Sequence, residues 1–380
     1  MNQPPEQWIG QGVAEVDTPA LVIDLDAMER NLKRMASYAS QHRVRLRPHA
    51  KMHKCAELAR RQMAAGAVGV CVQKTGEAEA LAAAGVDDIY ISNEVIAPHK
   101  LQRVAALARS LKSRGGRLAI AVDALAGVER LAQALGAAEN MIDVFIELDV
   151  GHGRCGVHQV EDVLPIAQAI ATHSSLRLAG LQAYHGGAQH LRSVHERRAA
   201  LDQVLARVRQ TRQLVTSVGL AVPLVTGAGS GTFALETSSG LFGELQAGSY
   251  LFLDADYARN EPDPDQPVFE HALFVKTQVM SVAPSHVVVD AGHKSHAIDS
   301  GLPGVLAKPL RAVACSDEHT TLKGIHTNAQ LPALGETLWL IPGHCDPTVN
   351  LHDWMVGVRG GLDNGKVEEI FRVDARGRLD

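Results

Sequence analysis

From Pro19 to about Gly248 short apolar runs alternate with longer stretches whose apolar positions recur at helical spacing. Ala20 to Asp24 is a continuous apolar run, and Met28, Leu32, Met35 and Ala39 then fall on one helical face. Asp26 followed by Glu29 predicts a capping box at the start of that helix. The alternating Val44-Arg45-Leu46-Arg47 predicts a short strand. A helix from Cys55 closed by Gly66, a strand at Gly69 to Gln73 and a helix from Thr75 closed by Gly85 follow. The pattern continues through a strand at Ile89 to Ser92, a helix around Leu101 to Leu111 and a strand at Leu118 to Val122. Next come a helix at Val128 to Leu135, a strand at Val144 to Leu148, a helix at Val160 to Ile170 and a strand at Leu178 to Ala183. A long helix opened by Ser193, with Glu196 three residues on, closes at Gly219, and Leu224-Val225 ends the series. Strands beginning at Leu21, Val44, Val68, Ile89, Leu118, Val144, Leu178 and Leu224 number eight. Eight βα units in succession predict an α/β fold with a closed TIM-type (β/α)8 barrel. Their continuous apolar character predicts strands covered on both faces.

After Asp254 the rhythm changes. Asn260-Glu-Pro-Asp-Pro-Asp-Gln-Pro267 can continue neither a helix nor a central strand. Beyond it Phe274 to Met280, Val287 to Asp290, Thr337 to Ile341, Met355 to Val358 and Val367 to Phe371 read as strands with hardly any helix between them. We therefore expect a barrel domain over residues 17–255 and a C-terminal β domain over 256–380, with residues 1–16 packed on the latter.

Composition narrows the function classes. Of 380 residues, 46% are hydrophobic and 34 are glycine, enough for a large core with many turns. A net charge of -5 with interspersed signs gives no nucleic-acid or membrane footprint, so a small-molecule substrate is expected. The five cysteines, Cys55, Cys71, Cys155, Cys315 and Cys345, are scattered and read as reduced thiols. With no apolar leader or membrane-length run, the expected location is the cytoplasm.

Three constellations carry candidate chemistry. Arg47-Pro-His-Ala-Lys-Met-His-Lys54 follows a strand, and the C-terminal ends of barrel strands form the active face. Neighbouring cations there are expected to ease proton loss from Lys51, as a Schiff-base lysine requires. Other strand ends supply Gln73, Asn93, Asp123, Arg154, Tyr184, His185 and Thr226. Thr226-Gly-Ala-Gly-Ser-Gly-Thr232 and Gln246-Ala-Gly-Ser-Tyr250 are glycine turns of the kind that cradle phosphate, although neither fits the dinucleotide or P-loop pattern. In the β domain, His344 and Asp346 project to one side of an extended chain and could share a cation while Cys345 faces away. Asp317-Glu318-His319, His352 and Asp353 are further candidate ligands.

Together these stretches resemble the D-threonine aldolase and D-serine dehydratase family, the metal-activated branch of the alanine-racemase-like pyridoxal phosphate enzymes. The resemblance runs from Asp17-Thr-Pro-Ala20 through Arg47-Pro-His-Ala-Lys51, Gly153-Arg-Cys-Gly156, Gln182-Ala-Tyr-His-Gly186 and Asp254-Ala-Asp-Tyr257 to Gly343-His-Cys-Asp-Pro347. It implies that Lys51 carries the cofactor with Lys54 as its neighbour. Thr226, Gly229, Ser230, Gly248 and Ser249 would hold the phosphate, with Gln73, Arg154 and Tyr184 about the ring. His344 and Asp346 would bind a divalent metal, Mn²⁺ or Mg²⁺ before Zn²⁺. Dehydratases of the family typically have cysteine where Asp346 stands, so aldol chemistry is favoured. Ala228 replaces a glycine of the aldolase pattern, and His293 stands where an apolar residue is expected.

The implied reaction is cleavage of a D-β-hydroxy-α-amino acid, D-threonine or 3-hydroxy-D-aspartate, to glycine and an aldehyde. The candidate base is His190, with a water on the metal as competitor. Lys294, Arg259 and His293 are candidate cations for a substrate β-carboxylate. Dehydration of D-serine or D-3-hydroxyaspartate is the alternative, and a non-catalytic pyridoxal phosphate carrier, built from the barrel alone, is a third. Monomer and homodimer are both open.

Overall fold

The computed structural model describes residues 5–137, 141–326 and 328–380. Residues 1–4 of the segment expected to pack on the β domain lie outside them. Strand β1 (Ala20–Asp24) leads into helix α1 (Leu25–His42), followed by β2 (Arg45–Leu46), α2 (Ala56–Ala64), β3 (Val70–Val72), α3 (Thr75–Ala83) and β4 (Asp88–Ile91). Then come α4 (Pro98–Ser113), β5 (Arg117–Val122), α5 (Leu125–Leu135), β6 (Ile142–Glu147), α6 (Val163–Thr172) and β7 (Leu176–Ala183). Helix α7 (Val194–Ser217), β8 (Leu224–Gly227), α8 (Phe233–Ser238) and β9 (Glu244–Leu245) complete this half.

The C-terminal half is strand after strand: β10 (Leu273–Ala283), β11 (His286–Val289), β12 (Gly304–Val305), β13 (Leu310–Cys315), β14 (Thr320–Gly324) and β15 (Thr337–Ile341). After a single helical turn, α9 (Cys345–Val349), β16 (Trp354–Arg359) and β17 (Lys366–Arg372) end it.

Eight parallel strands form one sheet in the order β2-β9-β8-β7-β6-β5-β4-β3. Its two ends meet where Val68 N donates to Leu46 O (2.8 Å) and Cys71 N to Pro48 O (2.9 Å), which rolls the sheet into a barrel. The count of eight is as expected, but one member differs. Strand β1 pairs antiparallel with β10 and parallel with β16, so it belongs to the sheet β13-β14-β11-β10-β1-β16-β17 of the β domain. The eighth barrel strand is β9, two residues between β8 and β2 that carry too little apolar pattern to read as a strand. The cap of α1 also moves: Asp24 accepts from Ala27 N at 3.1 Å, while Asp26 is engaged by Arg359. The box at Ser193 and Glu196 forms as expected.

The sheet's outer surface packs under α2 to α7 in one apolar core. A second core joins α1, β2 and β9 to the inner face of β10, β11 and β15, so the β domain sits against the barrel on the side of its shortest strands. The N-terminal segment lies along β17, with Gly10 N donating to Val367 O (2.8 Å) and Val13 N to Gly365 O (2.8 Å). No helix among the described residues is long and apolar enough to cross a membrane.

Where β6 and β7 slip register, Gly180 takes φ of 148°, and a Cβ there would stand 1.8 Å from Leu224 O on β8. Backbone cannot yield as a flexible side chain can. Gly180→Ala is therefore expected to cost at least about 2 kcal/mol of stability, read as a lower denaturant midpoint. An unchanged midpoint would mean that β7 and β8 can part without loss.

Candidate active site

The C-terminal strand ends and the first turn after β15 enclose a cavity of about 360 Å³, within the range of small-molecule sites. Lys51, Gln73, Arg154, Tyr184, His190, Gly229, Ser230, Gly248, Ser249 and Asp346 all line it. Lys51 sits on the 3-10 turn Ala50–Met52 just after β2. Its Nζ lies 2.6 Å from Asp346 Oδ2, so the barrel lysine and the β-domain carboxylate meet directly. His344 caps α9 from an extended conformation and Asp346 occupies the helix's first turn. Their side chains converge at 3.7 Å (Nε2 to Oδ1) because the chain turns there, not because it stays extended. Cys345 is buried on the other side, its N–H held by Asp254 Oδ2 (3.1 Å).

The charges at this contact settle differently from the sequence expectation. Burial pulls the Lys51 ammonium toward proton loss, but Asp346 outweighs it and the net shift is upward. The neighbouring histidine cannot help expel a proton: burial and Lys51 push His49 well below its ordinary value, leaving it neutral. His53 and Lys54 turn away from the cavity altogether. His53 Nε2 contacts Gln62 Oε1 (3.2 Å) in the core, and Lys54 pairs with buried Glu77 (2.8 Å). Burial likewise opposes the Asp346 charge, while Lys51 and His344 keep its carboxylate below the usual range.

The two glycine turns face each other. Ser230 Oγ accepts from Tyr250 N (2.9 Å), tying one turn to the other. Gly229 is pressed against Gln189 and Gly248 against the His49 carbonyl, where a Cβ would approach to 2.4 Å and 2.6 Å respectively. Ala228, the departure from the family pattern, is held at φ of 69°, a left-handed conformation that a side chain adopts at some cost. Thr226 does not reach the cavity. Its hydroxyl donates to Glu244 Oε1 (3.0 Å) and accepts from Gln246 Nε2 (2.9 Å) beneath the floor.

Arg154 lies over the Tyr184 ring at 5.9 Å and 3.7 Å from Glu147. Asn93 and Asp123 brace loops, through Gln73 O (3.0 Å) and Gly156 N (3.1 Å). His190 Nδ1 lies 2.5 Å from Asp256 Oδ2, which leaves Nε2 for the cavity. The arrangement is an imidazole whose tautomer is fixed by a carboxylate. Sequence reading missed Asp256, although it stands in the Asp254-Ala-Asp-Tyr257 stretch. It gave no individual role to His49, Gln182, Gln246 and Tyr257, which stand in the quoted stretches and line the cavity with Ser92.

Other expected ligands are spoken for. His293 pairs with Asp317 (2.8 Å), Lys294 with Glu318 (2.7 Å), Arg376 with Asp353, and His352 Nε2 contacts Ser295 O (2.8 Å). Neither His293 nor Lys294 lines the cavity, and Arg259 is committed to Asp256 and Ser300 O. Among the described residues no three His, Cys, Asp or Glu side chains gather as a metal cage. The pair His344 and Asp346 nevertheless suits a cation completed by water or substrate. Asp346 Oδ1 is buried without a hydrogen-bond partner among the described residues, beside His344 Nε2. The cavity suits pyridoxal phosphate by the same test, with an amine at one wall and the Gly229 and Gly248 turns at another.

Residues 23–256 match the family model "Alanine racemase, N-terminal domain", and residues 272–358 match "Putative serine dehydratase domain". The chain belongs to the alanine-racemase-like family, in its branch that contains the D-threonine and 3-hydroxy-D-aspartate aldolases. It is 44% identical over 376 residues to D-threonine aldolase of Arthrobacter sp, covering 98% of this chain and 96% of that one. It is 42% identical over 376 residues to 3-hydroxy-D-aspartate aldolase of Paracoccus denitrificans, covering 97% and 94%. The crystal structure of D-threonine aldolase from Filomicrobium marinum superposes with a TM-score of 0.93 at 46% identity, over 98% of this chain and 99% of that one.

Below the cavity, Glu147 Oε2 accepts from Gln182 Nε2 (2.8 Å), and burial with Glu94 nearby pushes the Glu147 carboxyl up to about 8. The native state then keeps a proton that the unfolded chain releases near 4.5. Stability from neutral Glu147 is complete below that pH and is lost as pH rises to about 8. Glu147→Gln is expected to flatten the fall in melting temperature over this window. Parallel curves for variant and wild type would show that Glu147 is already ionised in the native protein.

Proposed function

We propose that this chain cleaves a D-β-hydroxy-α-amino acid, D-threonine or 3-hydroxy-D-aspartate, to glycine and an aldehyde, using pyridoxal phosphate and a divalent metal. The observation that supports the reading is the meeting of Lys51 Nζ with Asp346 Oδ2 in one cavity, at 2.6 Å, with His344 Nε2 3.7 Å from Asp346 Oδ1. Aldolase relatives of nearly full length support the same chemistry. Asp346, rather than a thiol, at the second metal position favours cleavage over dehydration.

Lys51 would hold the cofactor through its amine. Gly229, Ser230, Gly248 and Ser249 would bind the phosphate with turn N–H groups and hydroxyls. Gln73, Arg154 and Tyr184 would flank the ring, and Thr226 would support the floor through Gln246. When bound, the cofactor supplies a sink for the electrons of the bond broken at the substrate's α-carbon. A cation on His344 and Asp346, Mn²⁺ or Mg²⁺ before Zn²⁺, would supply a Lewis acid for the β-hydroxyl. His190 takes the hydroxyl proton at Nε2, its ring held by Asp256 through Nδ1. All five cysteines are free, which supports a reducing, cytoplasmic location.

The test uses purified protein loaded with pyridoxal phosphate and stripped with EDTA. Given D-threonine or 3-hydroxy-D-aspartate, it is expected to release glycine and aldehyde only after Mn²⁺ or Mg²⁺ is restored. Lys51→Ala should abolish both the cofactor's absorbance band and the product. A 2-oxo acid and ammonia in place of glycine would make the chain a dehydratase, and no turnover with an intact band would favour a carrier. His190→Gln is expected to lower kcat about 10²- to 10⁴-fold with little change in KM. A wild-type kcat would move the base elsewhere.

A further inference from the structure

We propose that Asp299 is a positioning residue of the metal centre, an inference that rests on the reading of His344 and Asp346 as its ligands. Asp299 Oδ2 lies 2.7 Å from His344 Nδ1. A neutral imidazole has one N–H, and a carboxylate beside Nδ1 fixes it there. The lone pair is then on Nε2, the nitrogen 3.7 Å from Asp346 Oδ1. That oxygen is buried and has no hydrogen-bond partner among the described residues. Asp299 thus aims the Nε2 lone pair of His344 at Asp346 Oδ1.

Two features of the surrounding chain bring Asp299 into place. A Cβ at Gly343 would stand 2.4 Å from Gly301 O, so glycine at 343 lets the loop 298–303 lie against the turn that bears His344. Arg259 Nη2 donates to Ser300 O (2.8 Å), one residue from Asp299, and pairs with Asp256, the carboxylate that holds His190. A single guanidinium therefore ties the carboxylate behind the metal ligand to the carboxylate behind the base.

The competing account is an ordinary surface ion pair, since the Asp299 side chain is 52% exposed. Such pairs add little to folding stability. The two accounts separate on metal binding. Mn²⁺ is titrated into EDTA-stripped, pyridoxal-phosphate-loaded protein, with free Mn²⁺ followed by electron paramagnetic resonance. Asp299→Ala is expected to weaken binding about 10- to 100-fold while leaving the melting temperature in EDTA unchanged. Asp299→Asn, whose amide oxygen still accepts from Nδ1, should recover most of the affinity. Wild-type affinity in Asp299→Ala, with binding lost in His344→Ala, would overturn the positioning role and leave the metal centre standing. Mn²⁺ binding indifferent to His344→Ala would overturn both.

Discussion

The contact of Lys51 with Asp346 is the interaction around which the molecule is arranged. Two opposite charges 295 residues apart in the chain meet at 2.6 Å, in a cleft between the barrel and the β domain. Burial disfavours each charge alone, and each keeps the other ionised. The contact can exist only if the barrel delivers the end of β2 and the β domain delivers the turn after β15 to the same place. The shared core of α1, β2 and β9 with β10, β11 and β15 fixes that geometry.

Around the contact the functional groups are held at one remove. His190 is oriented by Asp256 and His344 by Asp299, and Arg259 reaches both supporting segments. Beneath the floor Thr226, Gln246, Gln182 and Glu147 satisfy one another in a buried network that keeps the cavity wall from shifting. Glycine is used where backbone must come close: Gly231 against the Gln189 carbonyl, Gly248 against the His49 carbonyl, Gly343 against the Gly301 carbonyl. In each case the missing Cβ lets one loop close on another, and the cavity takes its shape from those contacts.

Half of the site's lining was legible because barrel geometry places chemistry at the C-terminal ends of strands, and strands with apolar periodicity can be counted. Lys51, Gln73, Arg154 and Tyr184 were found in this way, and the glycine turns by their composition. The errors have equally definite causes. Strand β1 has the apolar run of a barrel strand, but nothing local says which sheet will accept it. Strand β9 is too short to show a pattern. Thr226 ends a strand as its neighbours do, and only its partners Glu244 and Gln246 reveal that its hydroxyl points below the floor.

The sequence alone determined the periodicities, the turn chemistry and the inventory of reactive groups, because these depend on residues a few positions apart. Tertiary structure alone decided which of those groups meet. It turned His53 and Lys54 into the core, engaged His293 and Lys294 on the surface, and set the protonation of Lys51 by bringing Asp346 to it. Charge interactions and hydrogen bonds act over a few ångströms in space, however many residues separate the partners along the chain.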